Sequence, residues 1–342
     1  MLKIALGYKE VKGPWGGGNR FIRSLKNAIT ENKFTHTSNL KDKDIDIILL
    51  TDPRFRSPFV SFSVAQVLFY KIFINPKVKV IHRVNECDER KNTTFMNKLL
   101  INANWCSDYT VFVGTWLTKL VCWENNLRTP FQIILNGSDK NVFNNMGYQK
   151  WKGLEPLKLV THHWGGNMMK GFDIYSKVDD MLENKFWKSK ITFTYVGNLP
   201  TGFVFKNVKH IKPLDGLDLA NELKKHHVYL TASINEPGGN HQNEGALCGL
   251  PILFRNSGSL PEYCKGYGIM FNEKNFESAL NEMMCEYKSY VHKMKFYPHD
   301  SISCASKYIK LFKRLSKDHN FIDNNGRFYK HPFKTIKSLF II

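Results

Sequence analysis

Two glutamates eight positions apart bound the segment Glu236-Pro-Gly-Gly-Asn-His-Gln-Asn-Glu244. An apolar strand-like run precedes the first, and a helical stretch passes through the second. Glu236 is therefore expected in the loop at the strand's end, and Glu244 about one turn inside the helix. Gly238, Gly239 and Asn240 form the helix entry, where backbone N–H groups lack intrahelical partners. Two carboxylates beside such a nest suit a polyhydroxylated ligand that carries phosphate. They equally suit capping carboxylates on a surface helix.

Three further groups could do chemistry. Thr161-His-His-Trp-Gly-Gly-Asn-Met-Met-Lys-Gly171 follows another strand. Lys170 opens the next helix, where it either neutralises a phosphate or sits in a solvated first turn. His162 and His163 are adjacent, so a strand turns them to opposite faces and they cannot share an ion. No metal is expected. Pro14-Trp-Gly-Gly-Gly-Asn-Arg20 follows the first strand and opens the first helix. Gly17 and Gly18 there admit a ligand close to the backbone, or make a flexible turn. The pattern is not GxGxxG, and Asp52 is the nearest acidic residue to the end of the second strand, which disfavours a nicotinamide enzyme. Ile81-His-Arg-Val-Asn-Glu86 ends a strand; His82, Arg83 and Asn85 are expected to point toward a ligand cleft, against a purely structural histidine.

Strands and helices must alternate to place these groups. Strands are expected at 3–7, 45–51, 78–84, 109–113 and 132–135, with helices at 19–32, 61–73, 92–102 and 115–125. The run 59–75 reads as a buried helix. The second half repeats the pattern, with strands near 157–162, 191–196, 208–211, 228–231, 251–254 and 268–271. Its helices fall near 170–183, 216–225, 240–248, 275–290 and 301–316. Such alternation predicts α/β architecture with parallel sheets and right-handed crossovers. A polar seam at 144–156 divides two doubly wound domains, 1–150 and 151–315, with a basic tail at 316–342 packing back on the first. Ligands of such sheets bind at the carboxyl ends of the strands, and a cleft between two facing domains is the default site.

Charge narrows the partners. The 342 residues carry 49 Lys and Arg against 30 Asp and Glu, a formal +19. This favours anionic partners: nucleic acid, an acidic membrane or phosphorylated small molecules. The basic residues are spread along the chain without an aromatic-interleaved basic motif, which disfavours nucleic acid. Residues 307–342 hold nine Lys and Arg against Asp318 and Asp323. They read as a final helix and tail packed across the domains, or as a basic, apolar-tipped segment resting on an anionic membrane. The seven cysteines show no CxxC pair and read as reduced thiols of a cytoplasmic protein. The opening residues are too quickly polar for a signal peptide, and no apolar stretch is long enough to span a membrane.

Taken together, the motifs resemble the E-x7-E retaining glycosyltransferases of the GT-B fold, in particular family 4. The resemblance rests on Glu236 through Glu244, on Val228-Tyr-Leu-Thr-Ala-Ser before it, and on Ala246-Leu-Cys-Gly-Leu-Pro-Ile and Asn256-Ser-Gly-Ser-Leu-Pro-Glu262 after it. The loop Gly16-Gly17-Gly18, the stretch Ile134-Leu-Asn-Gly-Ser-Asp139 and Lys170-Gly171 add to it. The resemblance implies a nucleotide-sugar donor, UDP- or GDP-linked, held mainly by the second domain. Glu244 would bond the ribose hydroxyls, Glu236 would face the sugar, and Gly239 and Asn240 would offer main-chain contacts. Lys170 would pair with the diphosphate, as would the Gly17–Gly18 backbone. His82 would contact the sugar near the acceptor, and Gly197-Asn198 would begin the base pocket.

It further implies metal-independent transfer, without cofactor, to a hydroxyl of a glycan or lipid-linked acceptor, as in polysaccharide biosynthesis. Departures from the pattern are Gly165, where an Arg usually precedes the Lys by five positions, and Gly238, Asn240 and Asn243 in place of apolar neighbours. Arg20 or Arg83 could supply a compensating cation. The alternatives are a nucleotide-sugar epimerase of the same fold, and a non-catalytic sugar- or nucleic-acid-binding protein.

Overall fold

The computed structural model describes residues 1–11, 17–54, 57–318 and 325–339. The chain divides into two compact units, Met1–Leu135 with Ser301–Ile342, and Asn136–Asp300.

The first unit opens with β1 (Lys3–Leu6), α1 (Gly17–Glu31), β2 (Thr35–Thr37) and β3 (Ile47–Leu50). Then follow α2 (Val64–Phe69), running into a π-helical turn (Tyr70–Ile74), β4 (Lys79–Val84), α3 (Met96–Asn104), β5 (Tyr109–Phe112), α4 (Thr115–Thr118) and β6 (Phe131–Ile133). All strands pair in parallel, in the order β2-β1-β3-β4-β5-β6. Every side chain of Ile47–Leu50 is buried, as parallel strands covered on both faces require. β2 is a short edge strand, and its Thr-His-Thr sequence carries no apolar run by which to foresee it.

The second unit holds β7 (Leu157–His163), a 3-10 turn (Met168–Lys170), α5 (Phe172–Met181), α6 (Lys185–Lys190), β8 (Ile191–Gly197), β9 (Lys209–Ile211) and α7 (Gly216–Leu223). It continues with β10 (Val228–Thr231), α8 (His241–Leu247), β11 (Ile252–Arg255), α9 (Leu260–Cys264), β12 (Gly268–Phe271) and α10 (Phe276–Met294). Its order is β12-β11-β10-β7-β8-β9, again parallel. Counted from its own first strand this is 3-2-1-4-5-6. The chain reverses direction across the sheet between β7 and β10, and the crevice at their carboxyl ends is where such sheets bind ligands.

The chain then returns to the first unit through α11 (Ser301–Lys317), α12 (Gly326–Lys330) and α13 (Pro332–Leu339). α11 buries Cys304, Ala305, Tyr308, Ile309, Phe312 and Leu315, a helical stripe that joins Leu25 and Ile29 of α1 in one core. Residues 301–315 therefore lie with the first unit, whereas the sequence pattern assigns them to the second. The boundary near 135 is also earlier than the polar seam at 144–156. The amide of Asn136 donates to the Tyr263 hydroxyl at 2.7 Å, and the Tyr148 hydroxyl donates to the His227 carbonyl at 2.8 Å, which ties this irregular stretch to the second unit.

Two helices differ from expectation for local reasons. α3 starts at Met96 because the Asp88 carboxylate accepts from the Met96 and Asn97 amides at 2.8 and 3.0 Å. The run 59–75 is not a single buried helix: α2 passes into the π turn, and Phe69 and Phe73 are exposed. All seven cysteines are free thiols. No helix among the described residues is long and apolar enough to cross a membrane.

Candidate active site

The loops that follow β7 and β10 bring chemistry together at the switch point of the second sheet. β7 ends at His163 and the chain turns through Trp164–Asn167 into the 3-10 turn that carries Lys170. Gly171 closes that turn with φ of 100°, and a Cβ there would lie 2.5 Å from Ala232. Only glycine lets this turn rest on the end of β10. Lys170 Nζ thereby reaches Glu236 Oε2 at 2.7 Å, across 66 positions of sequence. Both side chains are largely withdrawn from solvent, 11% and 3% exposed.

Glu236 is fixed from a third loop. Gly258, with φ of 58°, packs its backbone against Glu236, where a Cβ would stand 2.5 Å from the Glu236 nitrogen and oxygen. The Ser259 amide donates to the Glu236 carbonyl at 2.8 Å, and Ser257 Oγ accepts from the Asn235 amide at 2.9 Å. Gly258 is therefore a packing requirement of the loop that carries Glu236. The carbonyls that follow are also engaged: Gly238 accepts from Asn136 Nδ2 at 2.6 Å, and Gly239 from Gln242 Nε2 at 2.6 Å. The segment between the two glutamates is thus held rigidly by its oxygens.

Glu244 stands on α8, as its spacing predicts, with Oε2 at 2.8 Å from His162 Nε2. His162 Nδ1 lies 3.0 Å from the Tyr229 hydroxyl, which accepts from the His162 amide at 3.2 Å. One assignment satisfies every atom: amide to hydroxyl, hydroxyl to Nδ1, and Nε2–H to the carboxylate. Burial raises the Tyr229 hydroxyl well above its ordinary pKa, so it remains a donor. His162 thus orients Glu244, a role the sequence pattern did not single out. The signal was present in the strand alternation that turns His162 and His163 to opposite faces. His163 Nε2 indeed meets the Tyr175 hydroxyl at 2.7 Å instead.

His241 lies beneath the loop, with Nε2 2.8 Å from Thr231 Oγ1. Burial, opposed by the Glu236 charge, lowers its pKa to about 3. It is a neutral support. Arg255, at the end of β11, donates to both oxygens of Asp173 at 2.9 and 2.7 Å, to the Ala232 carbonyl at 3.3 Å and to Glu273. It clamps the start of α5 to the end of β10. A charged residue finishing the apolar run Ile-Leu-Phe-Arg was its only trace in the sequence.

Several polar atoms around this cluster are buried without a partner among the described residues: Asn167 Oδ1, Ser233 Oγ, Asn240 Oδ1, Gln242 Oε1 and Ser259 Oγ. Buried polar atoms are normally bonded. Their gathering in the loops after β7, β10 and β11 marks a place suited to a ligand rich in hydroxyls. Gly197 ends β8, and Asn198 bonds through its amide to the His163 carbonyl at 3.3 Å and through Nδ2 to the Trp164 carbonyl at 2.7 Å. Both lie beside the Lys170 loop. Among the described residues no group of three or more His, Cys, Asp or Glu could hold a metal ion.

The remaining expected site residues are in the first unit. Gly17 and Gly18 are the first residues of α1, with Gly18 against the Tyr8 ring; Pro14, Trp15 and Gly16 lie outside the described residues. His82 is fully buried two residues before the end of β4, not displayed toward a ligand. Asn104 Nδ2 lies 3.1 Å from its Nδ1 and donates to Thr110 Oγ1 at 2.8 Å. Burial lowers the His82 pKa to about 3. Arg83 is also buried, its guanidinium 4.1 Å over the Phe21 ring, and so is not displayed as the compensating cation.

No known family profile and no curated protein matches the chain. Solved structures do. Sucrose-phosphate synthase from Thermosynechococcus elongatus is similar at TM-score 0.63 and 12% identity, covering 92% of this chain and 99% of that one. A glycosyltransferase from Rickettsia africae reaches 0.61 and 13%, covering 93% and 99%. Anabaena HepE in complex with UDP and glucose reaches 0.63 and 10%, covering 92% and 99%. This likeness shows the fold: α/β, two Rossmann-like doubly wound units, the GT-B architecture.

Proposed function

We propose that the chain is a retaining glycosyltransferase that moves a sugar from a UDP- or GDP-linked donor to a hydroxyl of a glycan or glycolipid acceptor. The observation that carries this reading is the Lys170–Glu236 pair at the crevice between the ends of β7 and β10. A buried cation held by a carboxylate of a neighbouring loop is a charge ready to be passed to an incoming diphosphate. The complex of Anabaena HepE with UDP and glucose supports a nucleotide-sugar donor for this fold.

In the proposed reaction the bond from the anomeric carbon to the diphosphate oxygen breaks, and its electron pair leaves with the diphosphate. Lys170 stabilises that growing negative charge, which supports transfer without a metal. The acceptor oxygen attacks the same face and gives its proton to the departing phosphate oxygen. Glu236, released from Lys170, faces the electron-poor sugar. Glu244, held by His162, takes the ribose hydroxyls, and Asn240 Oδ1 accepts from a sugar hydroxyl.

Thermal denaturation with a panel of UDP-, GDP- and ADP-sugars tests the binding step. A ligand at a hundred times its Kd should stabilise the fold by about 2.7 kcal/mol. A panel that leaves the midpoint unmoved removes the proposal. NMR of the transferred anomeric centre tests retention; an inverted product removes that part.

A further inference from the structure

Helix α13 is built with its apolar residues outward. The buried side chains of Pro332–Leu339 are hydroxylic, Thr335 and Ser338. Trp105 Nε1 donates to Thr335 Oγ1 at 3.2 Å, and Ser338 Oγ donates to the Thr335 carbonyl at 2.7 Å. Phe333 is 87% exposed, and Ile336, three positions on and so on the same face, is half exposed. A helix serving only its own core would be turned the other way. α13 packs against α2, which together with the π turn that continues it carries a second exposed apolar pair. The Phe69 and Phe73 rings are 5.1 Å apart, and the two residues are 56% and 68% exposed.

Lysines accompany α12 and α13 with no acidic residue in the same segment. No Asp or Glu occurs in 325–339 or in 64–79. Arg327 is already engaged, by the carbonyls of Trp105 and Ser107 at 3.1 and 2.9 Å and by Asp108 at 3.6 Å. Lys330 and Lys337 are exposed and make no ion pair among the described residues, whereas Lys334 Nζ lies 4.4 Å over the ring of the buried Trp105, on the inner side of the helix. Burial, then Arg128 and Lys337, lower the Lys334 pKa, so the charges that act on it are themselves cations.

We infer that α13, with the adjoining exposed face of α2, seats the first unit on an anionic lipid surface. Phe333 and Ile336 enter the boundary between headgroups and acyl chains, and Lys330 and Lys337 meet the lipid phosphates. A soluble polyanion would engage the lysines and leave the aromatic face in water, so lipid fits both features. The inference stands independently of glycosyl transfer.

The test is co-sedimentation of the full chain with phosphatidylcholine vesicles, with and without phosphatidylglycerol. Binding is expected only with phosphatidylglycerol and should weaken as salt rises. Lys330→Gln and Lys337→Gln together should lower partitioning by about thirtyfold. Phe333→Ser with Ile336→Ser should also lower it, while retention on soluble heparin stays at the wild-type level. Because Phe333 and Ile336 are solvent-facing, the melting midpoint of that variant should stay unchanged. Equal binding to both vesicles, unchanged vesicle binding by either variant, or no vesicle binding at all overturns the inference.

Discussion

The two six-stranded sheets are loaded differently at the point where strand order reverses. In the first unit that point lies between β1 and β3. Its ion pair is local, although its backbone contacts join distant stretches of sequence and Ser61 Oγ, beside Gly7, is buried without a partner among the described residues. Gly7 donates to the Leu49 carbonyl at 2.8 Å, Thr51 Oγ1 donates to the Gly7 carbonyl at 3.2 Å, and Asp52 accepts from Arg54 Nε and Nη2 at 2.9 and 2.7 Å. In the second unit the partners lie 66 and 82 positions apart, Lys170 with Glu236 and His162 with Glu244. A local pair such as Asp52–Arg54 can form and dissolve with its turn. A long-range buried pair exists only in the folded unit and leaves an uncompensated charge when one member is lost.

The comparison breaks most sharply at Lys170. Lys170→Ala should reduce transfer by about a hundredfold to a thousandfold, the scale for removing one positioned group that stabilises transition-state charge. It should also cost about 3 kcal/mol of stability, because the buried Glu236 loses the neighbouring Lys170 charge. Adding Glu236→Gln should recover much of the stability and none of the activity, as read by thermal denaturation and a transfer assay. Asp52→Asn in the first unit should cost no more than about 1 kcal/mol, since Arg54 is 40% exposed. Equal losses at the two positions would erase the distinction drawn between the sheets.

Glu244→Ala comes next. Loss of the proposed ribose contact should weaken nucleotide-sugar binding by about tenfold to a hundredfold, with charge-assisted bonds of roughly 1.5–3 kcal/mol in play. Titration calorimetry gives the measurement. His162→Ala should weaken it less, because the carboxylate remains and only its orientation is loosened. A His162 variant weaker than the Glu244 variant would reverse their proposed roles.

The same asymmetry decided what could be read from sequence. Strand and helix order was legible because buried parallel strands are near-continuous apolar runs, as in Ile-Ile-Leu-Leu of β3. Thr35–Thr37 has no such run and is held only as an edge, so it escaped. Glu236, Glu244 and Lys170 were legible because each follows a strand or enters a helix at a spacing that fixes its end of the sheet. Their pairing was not, since Lys170 meeting Glu236 depends on Gly171 and Gly258 admitting three loops to one point. His82 misled because its place late in a strand says nothing of which face it takes. The ring is buried, with Asn104 at its Nδ1 and its Nε2 without a partner among the described residues. The return of α11 to the first unit depends on an apolar stripe matching α1, which two amphipathic patterns alone do not specify.

The two units should share one weakness, in acid. His82 in the first and His241 in the second are both held neutral, with pKa lowered by burial from 6.5 to about 3. The unfolded chain binds a proton on each below about 6.5, whereas the folded chain does so only near 3. Their neutral burial is harmless above that range, and stability falls as pH drops through it. Each contributes a slope of up to about 1.4 kcal/mol per pH unit. His82→Gln should reduce the number of protons taken up on unfolding by about one between roughly pH 6 and 4. Denaturation midpoints across pH provide the count, and an unchanged slope would mean that His82 is not held neutral.

The smallest expected effect sharpens the second site instead of breaking it. Gly165 lies in the loop between β7 and Lys170 and is exposed. A Cβ placed there meets nothing within 4 Å, and its φ is not among the positive values that favour glycine. Gly165→Arg should therefore fold with an unchanged melting midpoint. It adds a guanidinium to the loop that already bears the proposed diphosphate cation. An exposed charge of this kind contributes about 0.2–1 kcal/mol, so donor affinity should rise by roughly 1.4-fold to fivefold, more at low salt than at high. Calorimetric titration at two salt concentrations reads both the gain and its screening. A loss of affinity would place the diphosphate away from this loop and would count against Lys170 as its partner.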